Sequence, residues 1–195
     1  MRLREIEGFD GAFCVSAEAY VPGAPYTKSP TTSAIHNFKM PLERKGESGW
    51  HYKDTAITEW AAALREALPH ARIALDSIVC PMFTSKAKED PLYDDRLEQL
   101  AARYAQGSTV RVCSLLETTN SYARSRNGDR VEGTTLRDNT RVAEVSLPAS
   151  CERIILLDDV ITTGSTLEAC IQALSHISTA PSIIKVDSLG IARGK

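Results

Sequence analysis

The sequence lacks the features that mark several large classes of protein. Its five cysteines are odd in number and scattered without a C-x-x-C pair, which argues against a zinc ribbon and a secreted disulfide scaffold. No apolar run approaches the length needed to span a bilayer, and no charged-then-apolar leader is expected. The formal net charge of −2 gives no global attraction to nucleic acid or to an anionic membrane. We therefore expect a cytoplasmic protein without zinc and without a membrane partner.

The sequence does contain alternating helical and strand-like segments. Strands that are apolar on both faces and alternate with helices predict an α/β fold with a mainly parallel sheet, and 195 residues suit one domain. Asp54 or Thr55 is the predicted cap of the first long helix. The predicted helices are 55–68, 92–105 and 165–177, and the predicted strands are 73–80, 109–116, 141–147, 154–157 and 183–191. The periodicity of the first helix predicts one apolar face with Ile57, Trp60, Ala61, Leu64 and Leu68.

The stretch "IILLDDVITTGST" carries the clearest chemistry. An apolar strand is expected to end at two adjacent carboxylates, Asp158 and Asp159, and a helix is expected to begin at Ser165. Ligands of parallel sheets bind beyond the carboxyl ends of the strands, and helix N-termini bind anions. Such a site suits a sugar phosphate, although a simple helix cap is the alternative for the two acids alone. The predicted phosphate cradle consists of Thr162, Thr163, Gly164, Ser165 and Thr166.

This stretch resembles the motif that binds phosphoribosyl pyrophosphate (PRPP) in the type I phosphoribosyltransferases. The resemblance implies a Rossmann-like core over about 54–190 and a small hood from about 1–50 and the C-terminal end. It also implies that Asp158 and Asp159 contact the ribose 2′- and 3′-hydroxyls, and that 162–166 surrounds the 5′-phosphate. Mg²⁺ would accompany PRPP and be held mainly by PRPP itself, so no metal ligand is predicted in the protein.

A looser similarity extends along the chain. The segments "AIHNFKMPLERKGE", "DSIVCPMFTSK" and "RSRNGDRVEGTTLRDNTRV" occur in the order seen in the ComF-like branch of the same family. Two features of that branch are missing: the four-cysteine zinc ribbon, and the Pro-Val-Pro and arginine pattern after Pro81. The resemblance implies PRPP as the partner molecule, while a homodimer and contact with nucleic acid stay open.

The segment after the strand that ends at Cys80 occupies the place of a pyrophosphate loop. Backbone N–H groups and the Lys86 ammonium could hold a diphosphate there, although a solvated loop lysine is the alternative. Cys80 and Cys170 are expected to be buried packing residues rather than nucleophiles. The predicted pyrophosphate loop is Met82, Phe83, Thr84, Ser85 and Lys86.

The polar segment from Glu117 to Arg141 is expected to be a long loop with an excess of arginine. It could close over PRPP and place positive charge on the leaving pyrophosphate. A nucleic-acid or partner surface and a solvated loop are the alternatives. Arg137, with Lys86, is the predicted catalytic residue. The other arginines of this loop are Arg124, Arg126, Arg130 and Arg141.

Two functions follow from these patterns. The first is transfer of a phosphoribosyl group from PRPP to an acceptor, with release of pyrophosphate. Purine-salvage members of the family carry a third acid where this chain has Thr162, which disfavours hypoxanthine or guanine as the acceptor. The second is a sensor or adaptor that binds PRPP or a nucleotide without turnover, serving DNA uptake, regulation or defence. The sequence does not specify the acceptor.

Overall fold

The computed structural model describes residues 4–6, 12–16, 19–73, 75–122, 133–144, 147, 150–162, 164–175 and 185–194. Within these ranges the chain alternates strands with α-helices, joined by turns and 3-10 helices. The strands are β1 Arg4–Glu5, β2 Ala12–Cys14, β3 Ser77–Pro81, β4 Arg111–Val112, β5 Leu116–Thr118, β6 Thr140–Val142, β7 Arg153–Ile161 and β8 Lys185–Arg193. The helices are α1 Pro30–Phe38, α2 His51–Ala67, α3 Arg96–Ala105, α4 Gly133–Asp138 and α5 Ser165–Leu174.

One sheet organises the fold. Its strand order is β1-β2-β8-β7-β3-β4, and all neighbouring strands run parallel except β1 and β2. The central strand β7 is apolar on both faces, and Leu156 and Leu157 in it are completely buried. Helix α3 packs on β3, β4 and β7, α2 packs on α3, and α1 packs on α2, while α4 packs on α5. The predicted α/β fold, a Rossmann-like and mainly parallel sheet flanked by helices, is confirmed.

Helix α2 buries the face that its periodicity predicted, including Trp60 at 6% exposure. The prediction that Asp54 or Thr55 caps this helix is wrong, because α2 begins at His51. Hydrogen-bonded turns over residues 47–53 lead directly into the helix and satisfy part of its first turn. Among the helices that the structure describes, none combines the length and the apolar character that a membrane span requires.

The middle of the chain is more structured than the sequence predicted. The predicted strand over 109–116 is divided into β4 and β5, and the predicted strand over 141–147 is the shorter β6. β5 and β6 form an antiparallel pair, and α4 lies between them in the sequence. The prediction of a loop from Glu117 to Arg141 is therefore wrong at both ends. Leu115 and Leu116 are buried, which anchors this segment to the core.

Strand β7 is longer than predicted and contains both acids of the motif. The prediction ended the strand before Asp158, whereas β7 continues through Asp159 to Ile161. Its last residues pair with β8, from Asp158 opposite Gly190 to Ile161 opposite Arg193. Gly190 permits this pairing, because a Cβ at that position would lie 3.0 Å from the Ile161 side chain. Both carboxylates therefore project from a paired strand and not from a loop.

Candidate functional site

The loops after β3 and β7 follow two neighbouring strands from which the chain continues in opposite directions along the sheet. After β3 the chain passes through α3 to β4, and after β7 it passes through α5 to β8 on the other side. The two strands are neighbours, and the Met82 N–H donates to the Leu157 carbonyl at 2.9 Å. In parallel α/β sheets the crevice at such a point is where ligands bind. The loop that begins at Met82 and the segment that follows Ile161 thus come from neighbouring strands at one edge of the sheet.

Helix α5 begins at the same edge of the sheet, with three residues between it and the end of β7. Gly164 is its N-cap and has a left-handed backbone with φ of 78°, which glycine adopts without a steric penalty. The helix starts at Ser165, and no side chain caps it from position 164. First-turn N–H groups and the helix dipole favour an anion here, although the exposed Glu168 in the first turn weakens that attraction. Thr162 and Thr166 lie on either side of this start.

Asp159 is buried and is held by two cations. Its side chain is 5% exposed, and Arg96 donates to Oδ2 from Nη2 at 2.6 Å and from Nε at 3.2 Å. The Lys39 ammonium lies 2.8 Å from Oδ1. Arg96 is the first residue of α3 and is equally buried, whereas Lys39 follows α1 and is 27% exposed. Asp159 is therefore an ion-paired acid that ties two helices to the central strand.

The ion pairs continue from Arg96 into the interior. Arg96 Nη1 and Lys53 Nζ donate to the same oxygen of Asp94, at 3.0 and 2.8 Å. Lys53 also donates to the carbonyls of Phe38 and Met40, at 3.1 and 2.8 Å. Burial by itself lowers the pKa of Arg96, but its two carboxylate neighbours raise that pKa above the usual value. Burial lowers the pKa of Lys53 despite its bond to Asp94. We call Lys39, Asp159, Arg96, Asp94 and Lys53 the buried ion network.

Asp158 lies on the other face of β7, because successive side chains of a strand point to opposite faces. It is half-buried, and one of its oxygens accepts the Asp159 N–H at 2.7 Å. On this face it approaches α5, where burial, together with Cys80 and Asp158, raises the pKa of the Cys170 thiol. The repulsion between the two adjacent carboxylates therefore does not require a bound ligand to offset it. The two side chains lie on opposite faces of β7, and Arg96 and Lys39 neutralise the charge of Asp159.

The sequence analysis missed the partners of Asp159. Arg96 is four residues before Leu100, and both side chains lie on the buried face of α3. An arginine in the apolar register of an amphipathic helix is the signal that could have identified it. Lys39 has no comparable signal, because it follows the last turn of α1 in a segment that is rich in polar residues.

The loop after β3 is buried, but most of its backbone donors meet no acceptor among the residues that the structure describes. Phe83, Thr84 and Ser85 are 7%, 5% and 8% exposed. The prediction that Met82 offers its N–H to a ligand is wrong, because that N–H is bonded to β7. In the part of the chain that the structure describes, no acceptor meets the N–H groups of residues 83–86. Buried backbone donors are normally satisfied, so this loop is ready to receive an acceptor-rich ligand.

Lys86 lies at the end of this loop and is partly paired. Its ammonium is 3.3 Å from Asp90, which also accepts from the Ser121 hydroxyl at 2.6 Å. The bond from Ser121 is the largest of several contacts, Lys86 among them, that lower the pKa of Asp90. Thr118 also donates its hydroxyl to the Thr84 carbonyl and so fixes the loop to β5. The Lys86 ammonium keeps donors for a further partner, since one of its three is engaged.

The predicted arginine loop is described only at its C-terminal end. Arg137 lies in α4, and its side chain is outside the description. Arg141 in β6 is exposed and pairs with Glu117 across the β5–β6 ladder. Closure of this loop over a ligand remains a prediction. The other predicted residues outside the described ranges are Arg124, Arg126, Arg130 and Thr163.

The cysteines behave as core residues. Cys80 and Cys170 are completely buried, as predicted for packing residues. Burial raises the pKa of the Cys80 thiol to about 12, so it stays protonated near neutral pH. Among the described residues, no three His, Cys, Asp or Glu side chains gather into a group that could hold a metal ion.

Comparisons with known proteins give little further information. No protein-family model and no curated protein sequence matches the chain. Among solved structures, the fold is similar to a hypoxanthine phosphoribosyltransferase from Staphylococcus aureus, with a TM-score of 0.36 and 16% sequence identity. The match covers 68% of this chain and 59% of that chain, so this chain spans less than two thirds of that protein. This likeness carries no argument about function.

Proposed function

We propose that the protein binds PRPP in the crevice between β3 and β7 and transfers its 5-phosphoribosyl group to an acceptor, releasing pyrophosphate. One observation carries the proposal: the start of α5, which has no side-chain cap, and the loop over residues 83–86, whose N–H groups meet no acceptor among the described residues, follow neighbouring parallel strands at one edge of the sheet. PRPP has a phosphate at one end of its ribose and a pyrophosphate at the other, so it needs two such donor groups. The proposal includes the ComF-like branch and a cytoplasmic location.

The 5′-phosphate belongs at the N-terminus of α5. Gly164 lets a ligand approach the backbone without meeting a Cβ, and the first-turn N–H groups of a helix have no acceptor within the helix. The hydroxyls of Thr162, Ser165 and Thr166 supply further donors around a small anion. This assignment is supported by the uncapped start of the helix and by the motif "VITTGST".

The ribose hydroxyls belong to Asp158, because Asp159 lies on the opposite face of β7 and is paired with Arg96 and Lys39. Asp158 is half-buried and its carboxylate can accept hydroxyl protons directly. Asp159 instead belongs to the buried ion network, in which Arg96 donates to Oδ2 and the Lys39 ammonium lies 2.8 Å from Oδ1.

The pyrophosphate belongs to the loop after β3, where the N–H groups of residues 83–86 and the Lys86 ammonium supply donors. Mg²⁺ prefers oxygen ligands and keeps several ligands from outside the protein, which fits a crevice with the single half-buried carboxylate of Asp158 beside it. When bound, Mg²⁺ neutralises negative charge on the pyrophosphate. Arg137 and the arginines of the preceding loop remain proposed contributors of positive charge.

The reaction is a displacement at C1 of the ribose. The bond from C1 to the pyrophosphate oxygen breaks, a bond from C1 to the acceptor forms, and the electron pair leaves with pyrophosphate. The protein holds the two ends of PRPP and stabilises the leaving group through preorganised donors. Thr162 offers no carboxylate to the acceptor, so we propose an acceptor that needs no strong base.

The test is calorimetric titration of PRPP with and without Mg²⁺, while pyrophosphate release is followed in parallel. Asp158→Asn is the diagnostic variant, because this side chain lies outside the buried ion network. We expect PRPP to bind the wild type and to bind the variant at least about tenfold more weakly, the effect of one hydrogen bond to a charged group. Asp54→Asn is the control, since Asp54 is an exposed acid on α2.

Three outcomes separate the alternatives. Release of pyrophosphate with an added acceptor establishes a transferase. Tight PRPP binding without release, for every acceptor tried, favours the sensor. PRPP affinity that is equal in the wild type and Asp158→Asn, or absent in both, contradicts the proposed site.

The sensor is the second candidate, and a specific observation favours it. Asp159 is held from both sides by Arg96 and Lys39, which resists the small adjustments that a catalytic cycle requires. A sensor would bind PRPP in this crevice, as a transferase would. It would need no general base, because it has no acceptor.

A further inference from the structure

Residues 118–122, at the end of β5 and directly after it, hold two neighbouring carbonyls of the loop after β3. The Thr118 hydroxyl donates to the Thr84 carbonyl, and the Tyr122 N–H donates to the Ser85 carbonyl at 3.0 Å. Thr118 is 5% exposed, so water has little access to its bond. Strand β5 is paired with β6, which gives these donors a fixed frame. Both carbonyls of the loop therefore face residues 118–122.

These two bonds also fix the direction of two N–H groups. The peptide bonds of the loop are trans, and in a planar trans peptide the C=O and the N–H point in opposite directions. The Ser85 N–H shares a peptide with the Thr84 carbonyl, and the Lys86 N–H shares the next peptide with the Ser85 carbonyl. Both N–H groups therefore point away from residues 118–122, to a side where no described residue accepts them. Successive backbone N–H groups that point to one side make a site for an anion.

Ser121 fixes the other end of this loop. Its hydroxyl accepts the Ala87 N–H at 3.1 Å and donates to Asp90 at 2.6 Å. Asp90 in turn accepts the Leu92 N–H at 2.9 Å and lies 3.3 Å from the Lys86 ammonium. A single hydroxyl therefore holds the loop backbone and, through Asp90, the position of the ammonium at the end of the loop.

We propose that Thr118 and Ser121 are positioning residues for the pyrophosphate end of the site. They aim the N–H groups of Ser85 and Lys86 at the ligand and hold the Lys86 ammonium beside them, without touching the ligand themselves. This inference rests on the proposed function, in which the ligand of the loop is the pyrophosphate of PRPP. Donors that are already oriented stabilise the charge of the leaving group without reorganisation. The sequence analysis identified neither residue.

The test is amide-detected NMR of the whole protein, titrated with inorganic pyrophosphate and Mg²⁺. Pyrophosphate should shift the amide protons of Ser85 and Lys86 downfield, whereas Met82, whose N–H is bonded to β7, should shift little. Thr118→Val removes the hydroxyl and keeps the shape of the side chain. We expect it to reduce both shifts and to weaken pyrophosphate binding about tenfold, the effect of one hydrogen bond to a charged group. Ser121→Ala, at an exposed position, should weaken pyrophosphate binding as well.

The controls separate positioning from a general loss of structure. Thr118→Ser keeps the hydroxyl and should restore pyrophosphate binding. Thr140→Val is the matched control, because Thr140 pairs with Thr118 across the β5–β6 ladder and its hydroxyl donates to the Leu136 carbonyl, outside the loop. Ribose 5-phosphate has no second phosphate group and belongs at the start of α5, so its affinity should be unchanged in every variant.

Circular dichroism establishes that each variant is folded, and Ser121→Ala carries the test if Thr118→Val is not. Three results would overturn the inference and leave the proposed function standing: pyrophosphate affinity equal to that of the wild type, the same loss in Thr140→Val, or an equal loss of affinity for ribose 5-phosphate. Pyrophosphate binding that depends on Thr118, without any binding of PRPP, would refute the proposed function and leave both positioning residues assigned. A wild type that does not bind pyrophosphate would overturn both.

Discussion

Replacing Asp159 with asparagine should destabilise the fold, because it removes one partner of a buried ion pair. Arg96 is 5% exposed and loses the charge that accepts two of its hydrogen bonds. Breaking such a pair costs about 3–5 kcal/mol. We expect the lower end, about 3 kcal/mol, because Arg96 keeps Asp94 and the half-exposed Lys39 can turn to solvent. For a chain of this length that loss lowers Tm by about 6–12 °C.

The assay is urea unfolding followed by circular dichroism, arranged as a double-mutant cycle. Arg96→Met alone should also destabilise, because it leaves Asp159 buried without its main partner. The double variant should cost at least about 1.5 kcal/mol less than the sum of the single variants, since residues in one network couple. Glu47→Gln is the matched control: it breaks an exposed pair with Arg44, 50% and 52% exposed, and should cost less than about 1 kcal/mol.

Two results would refute this reasoning. One is a loss below about 1 kcal/mol for Asp159→Asn, within the range of an exposed pair. The other is a cycle in which the single losses add, because independent sites add and members of one network do not. Either result would mean that Asp159 and Arg96 are not paired in the folded protein, and the reason for assigning the ribose to Asp158 and not to Asp159 would fail with it.

Three further predictions concern the stability of the fold around the site. Gly194→Ala should lower the free energy of unfolding in urea by about 1–3 kcal/mol, because a Cβ there collides with the Thr162 methyl. Adding Thr162→Ser should recover most of this loss. Gly49→Ala is the control and should not destabilise similarly, because a Cβ at Gly49 makes only an ordinary van der Waals contact. Trp60→Phe should cost less than the ~3–5 kcal/mol of a large core truncation, because the buried indole N–H has no hydrogen-bond partner among the described residues and its removal relieves about 1–3 kcal/mol; a full truncation cost would contradict this. Folding lowers the pKa of Lys53, so just below pH 10.5 the unfolded chain binds more protons than the folded chain and the free energy of unfolding should rise with pH. Between about pH 8 and pH 10 this free energy should therefore rise more in the wild type than in Lys53→Met. A difference between the two that does not change with pH would contradict the shift.

Local patterns predicted the parts of the fold that local physics determines. The apolar run before Asp158 identified the central strand, and the spacing of Trp60 with its neighbours identified the buried face of α2, because burial leaves a periodic trace in the sequence. The end of β7 could not be predicted in this way. It depends on Gly190 in a strand about thirty residues later, whose missing side chain leaves room for Ile161.

The candidate site was predictable as a set of loops and not as a set of contacts. Gly164 and the residues around it define a helix start from their own chemistry, so their role could be inferred from a short stretch. Arg96 and Asp159 are 63 residues apart, and nothing in either segment alone reveals the partner. The sequence analysis explained the adjacent acids by a ligand, whereas strand alternation and distant cations account for them.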